Sequence, residues 1–302
     1  MSEEVYHVPV LLRESVDGLN IQPNGIYVDV TFGGGGHSRE ILNRLQGGKL
    51  IVFDQDEDAY ANRPNDDRLI FVRHNFRYLK NFLTYLGIDK VDGVLGDLGV
   101  SSHHFDTAER GFSFRFEGKL DMRMNYSAGI TAADVLNTYS DIDLMRIFRL
   151  YGEVDSPGKM VREIVTVRET KPFETIEELK AAAVKFVPSR DQTKQLAKVF
   201  QALRIEVNHE MAALTDMLHQ CSDVVKEGGR ISIISYHSLE DRLVKNFIKT
   251  GNCEEVEVEK DFYGNILAPF KAVNRKLIIP TDAEIEINSR ARSAKLRIAE
   301  RV

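Results

Sequence analysis

Four consecutive glycines, residues 33–36, constrain the fold of this chain more than any other stretch. They follow Ile26, Val28 and Val30, whose alternation predicts a short buried β-strand. A helical pattern begins directly afterwards, at Ser38. Glycine permits positive φ angles and lets a ligand approach the backbone closely. A strand, a glycine turn and a helix in this order therefore predict a cradle for a nucleotide-like cofactor.

The spacing of these glycines separates two classes of cofactor. A dinucleotide fingerprint requires Gly-x-Gly-x-x-Gly or Ala. Counted from Gly33 or from Gly34, the sixth residue is neither glycine nor alanine, which disfavours a nicotinamide oxidoreductase. The order D-x-T-x-G-x-G, which begins at Asp29, resembles instead the first motif of methyltransferases that use S-adenosylmethionine (SAM).

Further candidate site residues lie where three more predicted strands end. These strands are expected at residues 49–56, 69–76 and 91–100. Because strands alternate with helices, the sheet should be parallel, with ligands outside the carboxyl ends of its strands. Asp54 lies about twenty residues after the glycine turn, where a carboxylate usually holds a ribose diol. Phe76 and Asp97 should reach the same edge, and the Phe76 ring is placed to lie on an adenine.

The middle of the chain has a different pattern, which predicts an inserted all-helical domain at residues 106–206. No buried strand is evident there, and Ser140 with Asp143 and Thr175 with Glu178 form capping-box patterns. Strand patterns resume afterwards, at GRISIISYHS, CEEVEVEKDF and AKLRIAERV, while residues 263–288 have no clear pattern. The expected architecture is an α/β, Rossmann-like, mainly parallel core formed by residues 1–105 and 207–302.

Composition narrows the class of protein. The chain has 302 residues, 43% of them hydrophobic and 28% charged, with a net charge of -6. Sixteen basic and sixteen acidic residues balance within the predicted insert, so the net acidity falls on the core. Neither a membrane span nor a signal peptide is evident, and a cytoplasmic location is expected. Two cysteines suggest neither a disulfide framework nor a metal site.

Eight longer motifs resemble those of one family. They are HVPVLLRES, TFGGGGHS, GDLGVSS, ERGFSF, LDMRM, FQALRIEVNHE, GGRISIISYHSLEDR and NSRARSAKLRIAER. Together they are similar to the MraW/RsmH family of bacterial SAM-dependent methyltransferases. The resemblance implies methylation of the exocyclic N4 of a cytidine in the decoding region of 16S rRNA, with the small ribosomal subunit as partner. It also implies a Rossmann-like core with a helical insert.

The resemblance implies a set of cofactor contacts in this chain. They fall on Gly35, Gly36, His37, Asp54, Phe76, Asp97 and His104. Many relatives have Pro-Gln where this sequence has His103 and His104, although a histidine can still make a hydrogen bond. Neither a metal nor a membrane is implied. Whether the chain acts as a monomer or a homodimer stays open at this point.

Asp97 is the expected catalytic residue. Its carboxylate could hold the cytosine amino group, hold the cofactor, or bridge both. Methylation at C5 would instead require a cysteine nucleophile, and neither Cys221 nor Cys253 lies on the expected rim. An RNA-binding factor of the same fold without turnover is the competing reading, which an intact glycine turn with Asp54 and Asp97 disfavours.

An unstacked base and its flanking phosphates need further partners. Candidates for stacking on the base are Phe112, Phe114 and Tyr236. The arginines expected to hold phosphates are Arg110, Arg115, Arg123, Arg290 and Arg292. His237 is expected to be a structural or RNA-side group.

Overall fold

The computed structural model describes residues 9–100, 107–254, 260, 262–264, 266–274 and 276–302. The chain forms two compact units. We call them the core unit, Met1–Gly99 with Met211–Val302, and the insert unit, Val100–Glu210. The sequence-based boundaries of the insert were residues 106 and 206.

The core unit contains a seven-stranded sheet. Its strands are β1 (Ile26–Asp29), β2 (Lys49–Phe53), β3 (Leu69–Val72), β4 (Val91–Asp97), β5 (Val225–Ser235), β6 (Phe270–Ala272) and β7 (Lys295–Arg301). Their order is β3-β2-β1-β4-β5-β7-β6. The first five in this order pair in parallel, and β7 runs antiparallel to both β5 and β6. The predicted α/β fold with a mainly parallel sheet is confirmed.

Twelve α-helices are found among the described residues. In chain order they are α1 (Leu12–Gly18), α2 (Gly36–Arg44), α3 (Glu57–Ala61), α4 (Leu79–Tyr85), α5 (Ala132–Thr138), α6 (Asp141–Leu150), α7 (Gly158–Thr170), α8 (Ile176–Val184), α9 (Gln192–Asn208), α10 (Glu210–Val224), α11 (Ser238–Thr250) and α12 (Asp282–Ile287). Short 3₁₀ turns occupy Phe76–Tyr78, Ala108–Arg110, Ser189–Asp191 and Ser289–Ser293. None of these helices is both long enough and apolar enough to span a membrane.

The sheet of the core unit is buried on both faces. In β2, Leu50 and Val52 belong to one apolar cluster, while Ile51 and Phe53 belong to another. Side chains alternate across a strand, so a parallel strand covered by helices on both sides reads as a continuous apolar run. Helices α1 and α2 pack on the face that holds Leu50 and Val52, and α4, α10 and α11 pack on the face that holds Ile51 and Phe53.

The insert unit has its own hydrophobic core. Buried residues of α5–α9 meet there, among them Ile147, Phe148, Ile164 and Leu203. The two predicted helix caps are present, because Ser140 and Thr175 accept the N–H groups of Asp143 and Glu178. A core of this kind allows the unit to hold its own fold.

Several predicted boundaries were wrong. The third strand ends at Val72, because the side chain of Asn75 accepts the N–H of Arg77 and turns the chain into a 3₁₀ turn that begins at Phe76. The fourth strand ends at Asp97. The strand predicted at GRISIISYHS begins earlier, since β5 starts at Val225 and runs through an irregular pairing with β4.

The end of the chain also departs from the expected strands. AKLRIAERV forms β7, as predicted. Within CEEVEVEKDF, residues 255–259 and 261 lie outside the described part, and Lys260 forms only an isolated bridge. The other closing strand is β6, within the stretch that had no clear pattern, which also contains α12.

Candidate active site

The glycine turn joins β1 to α2 at the carboxyl edge of the sheet. Gly35 has a φ of 75°, a left-handed conformation that favours glycine. A Cβ on Gly36 would lie 2.1 Å from Cγ of Pro9, so a side chain is excluded there, whereas a Cβ on Gly34 would meet nothing within 4 Å. The first N–H groups of α2 have no intrahelical partner, and no side chain among the described residues caps them. The turn therefore offers open space and backbone donors suited to an anionic group.

Asp54 ties the end of β2 to this turn. Its Oδ2 accepts the N–H of Gly33 at 2.8 Å, and its Oδ1 accepts the N–H of Asp56 at 2.8 Å. A carboxylate oxygen has more than one lone pair, so these bonds leave room for further donors. The residue can thus both shape the turn and accept hydroxyl groups from a ligand.

Asp97 ends β4 beside the glycine turn. Its N–H donates to Thr31 Oγ1 at 2.6 Å, the Tyr236 hydroxyl donates to its Oδ1 at 2.7 Å, and Nδ1 of His37 lies 3.8 Å from its Oδ2. About a quarter of the side chain, 24%, stays exposed. Burial raises the pKa of Asp97, although His37 and the Tyr236 hydroxyl lower it in part. The result is a fixed, partly accessible hydrogen-bond acceptor.

His37 and Asp29 are titratable neighbours of this carboxylate. Nε2 of His37 lies 3.1 Å from the carbonyl oxygen of Val10. A carbonyl can only accept, so this nitrogen carries the hydrogen and Nδ1 faces Asp97. Asp29 is fully buried, accepts the Ser38 hydroxyl at 2.6 Å, and has its pKa raised by burial. The sequence identified Asp29 only as the start of a motif and missed this role.

The N-terminus of α11 fixes Tyr236. Glu240, which is only 2% exposed, accepts the N–H of Tyr236 at 2.8 Å, and it forms a capping box with His237. Burial raises the pKa of Tyr236 well above its ordinary value, and the adjacent Asp97 raises it further. The hydroxyl therefore remains protonated as a donor. The pattern His-x-x-Glu in the sequence could have revealed this cap.

Two predicted cofactor contacts remain, Phe76 and His104, and the structure describes only Phe76. Phe76 is half-buried and packs against the core cluster, and the preceding Asn75 donates to Gln55 Oε1 at 3.1 Å. That bond joins the 3₁₀ turn to the loop that follows β2, next to Asp54. His104, like its neighbour His103, lies outside the described residues.

Three of the predicted RNA contacts serve the insert unit itself. Phe112 is only 4% exposed and belongs to its core, so it is not available to stack on a base. Phe114 packs edge-on against Phe200, with ring centres 5.5 Å apart. Arg110 is buried, and its guanidinium donates to the carbonyl oxygen of Met124 at 3.0 Å. A buried position and an internal partner could not be read from residue type.

The other predicted arginines differ in their surroundings. Arg123 is held by Asp121, with Nη2 and Oδ2 2.7 Å apart. Arg115, Arg290 and Arg292 have exposed side chains. These three side chains are accessible to solvent, as a phosphate contact would require.

Neither cysteine is suited to nucleophilic attack. Cys221 and Cys253 are both buried. Burial raises the pKa of Cys253 to about 11 and raises that of Cys221 as well. Because the thiolate is the nucleophile, a buried thiol of this kind does not support covalent methylation at a ring carbon.

Known proteins similar to this chain point in one direction. The sequence matches the MraW methylase family over residues 4–302. It is 60% identical over 300 residues to ribosomal RNA small subunit methyltransferase H of Bacteroides fragilis strain YCH46, which covers 99% of this chain and 98% of the relative. The protein of the same name from Bacteroides thetaiotaomicron is 59% identical over 300 residues, with the same coverage.

One solved structure, an rRNA methylase from Streptococcus thermophilus, is 13% identical with a TM-score of 0.41 over 98% of this chain and 99% of that chain. That likeness is too slight to bear on function. The family match over nearly the whole chain, and the two relatives near 60% identity, are far closer. This chain therefore belongs to the MraW methylase family.

Proposed function

We propose that this chain transfers a methyl group from SAM to the exocyclic N4 of a cytidine in the decoding region of 16S rRNA. Membership of the family and the names of the two relatives support a substrate in the RNA of the small ribosomal subunit. The observation that carries the choice of atom is the Asp97 carboxylate. It is an oriented acceptor beside the glycine turn, with buried cysteines as the only thiols in the chain.

The residues of the glycine turn and its surroundings fit SAM. The open space at Gly34 and the uncapped N–H groups of α2 suit the carboxylate of its amino-acid part. Asp54 would accept the ribose hydroxyls, and the Phe76 ring would lie against the adenine. When bound, SAM supplies a methyl group on a positively charged sulfur, a good leaving group that needs no metal.

Asp97 would then act on the nucleophile. The lone pair of the cytosine amino nitrogen is delocalised into the ring, which makes it a poor nucleophile. A carboxylate that accepts a hydrogen bond from the N4–H group returns electron density to the nitrogen and fixes its direction of attack. The nitrogen must lose one proton after the transfer, and the Asp97 carboxylate would receive it.

The raised pKa of Asp97 suits this second task. Burial makes the carboxylate a stronger proton acceptor than an exposed aspartate. The Tyr236 hydroxyl holds Oδ1 in place, so Oδ2 is the atom left to face the substrate, with His37 at its side. Tyr236 thus acts as a positioning residue in this proposal, in place of the stacking role expected from the sequence.

The insert unit is proposed to recognise the RNA. Its residues 106–206 carry equal numbers of basic and acidic side chains, unlike the acidic core, and it has exposed groups such as Arg115 and Phe116, which is 40% exposed. Basic and aromatic side chains are the usual partners of phosphates and unstacked bases. SAM binding, in contrast, would be confined to the predicted core, residues 1–105 and 207–302.

A methyl-transfer assay with nucleoside analysis tests the proposal. Purified protein is incubated with labelled SAM and either naked 16S rRNA or small subunits from a strain that lacks this enzyme. Digestion and chromatography should give labelled N4-methylcytidine at one position, and the better of the two substrates identifies the acceptor. Labelled 5-methylcytidine, or SAM binding without any transfer to either substrate, would contradict it.

A further inference from the structure

A second concave surface lies on the core unit, away from the glycine turn. We call it the lysine groove. It encloses about 460 Å³ between α11, β6, β7 and the segment that follows β6. Its charged lining consists of Lys245, Lys249, Lys271, Lys276 and Arg297. None of the described residues that line it is acidic.

Most of this positive charge is not neutralised within the described part of the chain. Arg297 pairs with Asp241, with Nε and Oδ1 2.7 Å apart. The four lysines are exposed, and none of them forms an ion pair with a described carboxylate. In a chain with a net charge of -6, four unpaired lysines around one groove are complementary to a polyanion.

The groove also offers apolar contacts. Phe270 and Leu296 are buried beneath it, and Ile266 and Leu277 line it with partly exposed side chains. Ile266 pairs with Lys260, and two rings that lie between them in the sequence, Phe262 and Tyr263, are 97% and 86% exposed. Cations that track a backbone beside exposed rings are the combination that binds single-stranded nucleic acid.

The groove is connected to the candidate active site through α11. This helix begins at Ser238, two residues after Tyr236, and Lys249 lies eleven residues further along it. At a rise of about 1.5 Å per residue, the two ends are roughly 16 Å apart. A base at Asp97 and a flanking stretch of the same strand at the groove are therefore within reach of each other on one unit.

We propose that the lysine groove binds the sugar–phosphate backbone of a single-stranded RNA segment that flanks the methylated base. This inference rests on the proposed function, because it takes RNA as the substrate. The lysines would contact phosphates, and the apolar lining and the two exposed rings would contact ribose and bases. The affinity gained there would help to hold the target base unstacked at Asp97.

The test compares two double variants in the full-length protein. Lys249→Gln with Lys271→Gln removes two groove charges, and Lys49→Gln with Lys90→Gln removes two exposed charges outside the groove lining. The probe for binding is a labelled, unstructured oligouridylate, titrated at about 50 and about 200 mM salt. The groove variant should bind it roughly 5- to 30-fold more weakly at the lower salt. The slope of the logarithm of the binding constant against the logarithm of the salt concentration should be less steep by about 1.4.

Two further readouts separate this proposal from the previous one. SAM affinity should be unchanged in both variants, and transfer to small-subunit RNA should show a raised KM with an unchanged kcat in the groove variant only. Replacing both groove lysines with arginine should restore oligouridylate binding. If the wild type binds oligouridylate through the groove but transfers no methyl group to rRNA, the proposed function is wrong, whereas the assignment of the groove to RNA stands.

The groove proposal is overturned if the groove variant and the control bind oligouridylate equally at both salt concentrations while the wild type methylates rRNA normally. It is also overturned if an oligoglutamate peptide binds the wild type, loses affinity in the groove variant, and oligouridylate binding does not change. That last outcome would assign the groove to an acidic protein segment.

Discussion

The rim of the core unit and the helix caps of the insert unit use carboxylates in opposite ways. At the rim of the core unit, burial raises the pKa of Asp29 and of Asp97. In the insert unit, hydrogen bonds from Thr131 lower the pKa of the helix-capping Asp134. The pKa of Glu178 is lowered to about 2, chiefly by a hydrogen bond from Lys171. The acids of the helix caps stabilise the fold, whereas the two acids of the rim are retained at some cost to stability.

This contrast predicts that the rim acids and the cap acids respond to pH in opposite ways. A raised pKa in the folded state means that the stability contributed by Asp97 falls as pH rises from 3.8 through that raised value. A lowered pKa means that the stability contributed by Glu178 is present above 4.5 and is lost as pH falls through about 2. Groups that reduce stability near neutral pH are often kept for their chemistry.

The strongest test of the comparison removes one unit. A chain in which Phe105 is joined to Val207 by a flexible linker should keep SAM affinity, because every contact expected for SAM lies within residues 1–105. Methyl transfer to small-subunit RNA should fall below detection. Calorimetry measures the first, labelled transfer measures the second, and circular dichroism checks the fold. Transfer with normal specificity would contradict the proposed division of roles.

Replacing Asp97 with asparagine separates activity from stability. Asp97→Asn keeps the shape and an acceptor for the Tyr236 hydroxyl but removes the charge. Transfer should slow by roughly 10²-fold or more, as for the loss of one oriented electrostatic group. The melting temperature near neutral pH should be no lower than that of the wild type, because a charge that burial disfavours has been removed.

Single-turnover transfer under saturating SAM and RNA measures this rate. Asp97→Ala should lose more activity, and it should also weaken SAM binding if the carboxylate contacts both ligands. A wild-type rate for Asp97→Asn would make Asp97 a structural residue.

Replacing Asp54 tests the cofactor side of the rim. Asp54→Ala should weaken SAM binding by roughly 1.5–3 kcal/mol, since the ribose would lose a charged acceptor. It also leaves the N–H of Gly33 without its partner, so the turn itself should loosen. Calorimetry on Asp58→Ala, which alters an exposed acid in the same stretch, provides the control. Equal SAM affinity in folded Asp54→Ala and the wild type would exclude the assignment.

Removing the Tyr236 hydroxyl should have a smaller effect with a distinctive pH dependence. Tyr236→Phe deletes one donor to Asp97 and should reduce kcat by roughly 5- to 10-fold. Because that hydrogen bond lowers the pKa of Asp97, its loss should raise the pKa further and move the acidic limb of the kcat profile to higher pH. The exposed Tyr85 offers a matched control, Tyr85→Phe. A reduced rate with an unmoved acidic limb would mean that Tyr236 acts on something other than Asp97.

The sequence predicted the positions of the rim but not its connections. Apolar runs bounded by glycine, and acids at strand ends, are local signals, so the strands and the edge that holds Asp54 and Asp97 could be inferred. The bond from Tyr236 to Asp97 joins residues 139 positions apart. No local pattern reveals such a bond, which depends on the β4–β5 register in which Asp97 faces Ile234.

Exposure was the second property that residue type did not reveal. Phe112 and Arg110 resemble RNA contacts in the sequence, yet they stabilise the insert unit from within. No sequence pattern connects Lys249 with Lys271, because only the fold brings α11 next to β6. Helix caps were easier to predict, since Thr175 and Glu178 make their bonds within one turn.

The smallest expected effect concerns that cap. Glu178 accepts the N–H groups of Glu174 and Thr175, and its Oε1 pairs with Lys171. Glu178→Gln should lower the stability of the insert unit by about 0.5–1 kcal/mol near neutral pH, because a charged acceptor at a helix N-terminus is lost. Glu174→Gln, which removes an exposed charge nearby, should change it less.

The pH dependence of the stability lost in Glu178→Gln shows whether the charge or the shape of the glutamate stabilises α8. The advantage of the wild type should shrink as pH falls below 4.5 and vanish once Glu178 is protonated, near its pKa of about 2. Urea unfolding followed across this range measures it, while SAM affinity at neutral pH should not change. A deficit that persists at the acid end would mean that the shape of the glutamate, and not its charge, stabilises α8.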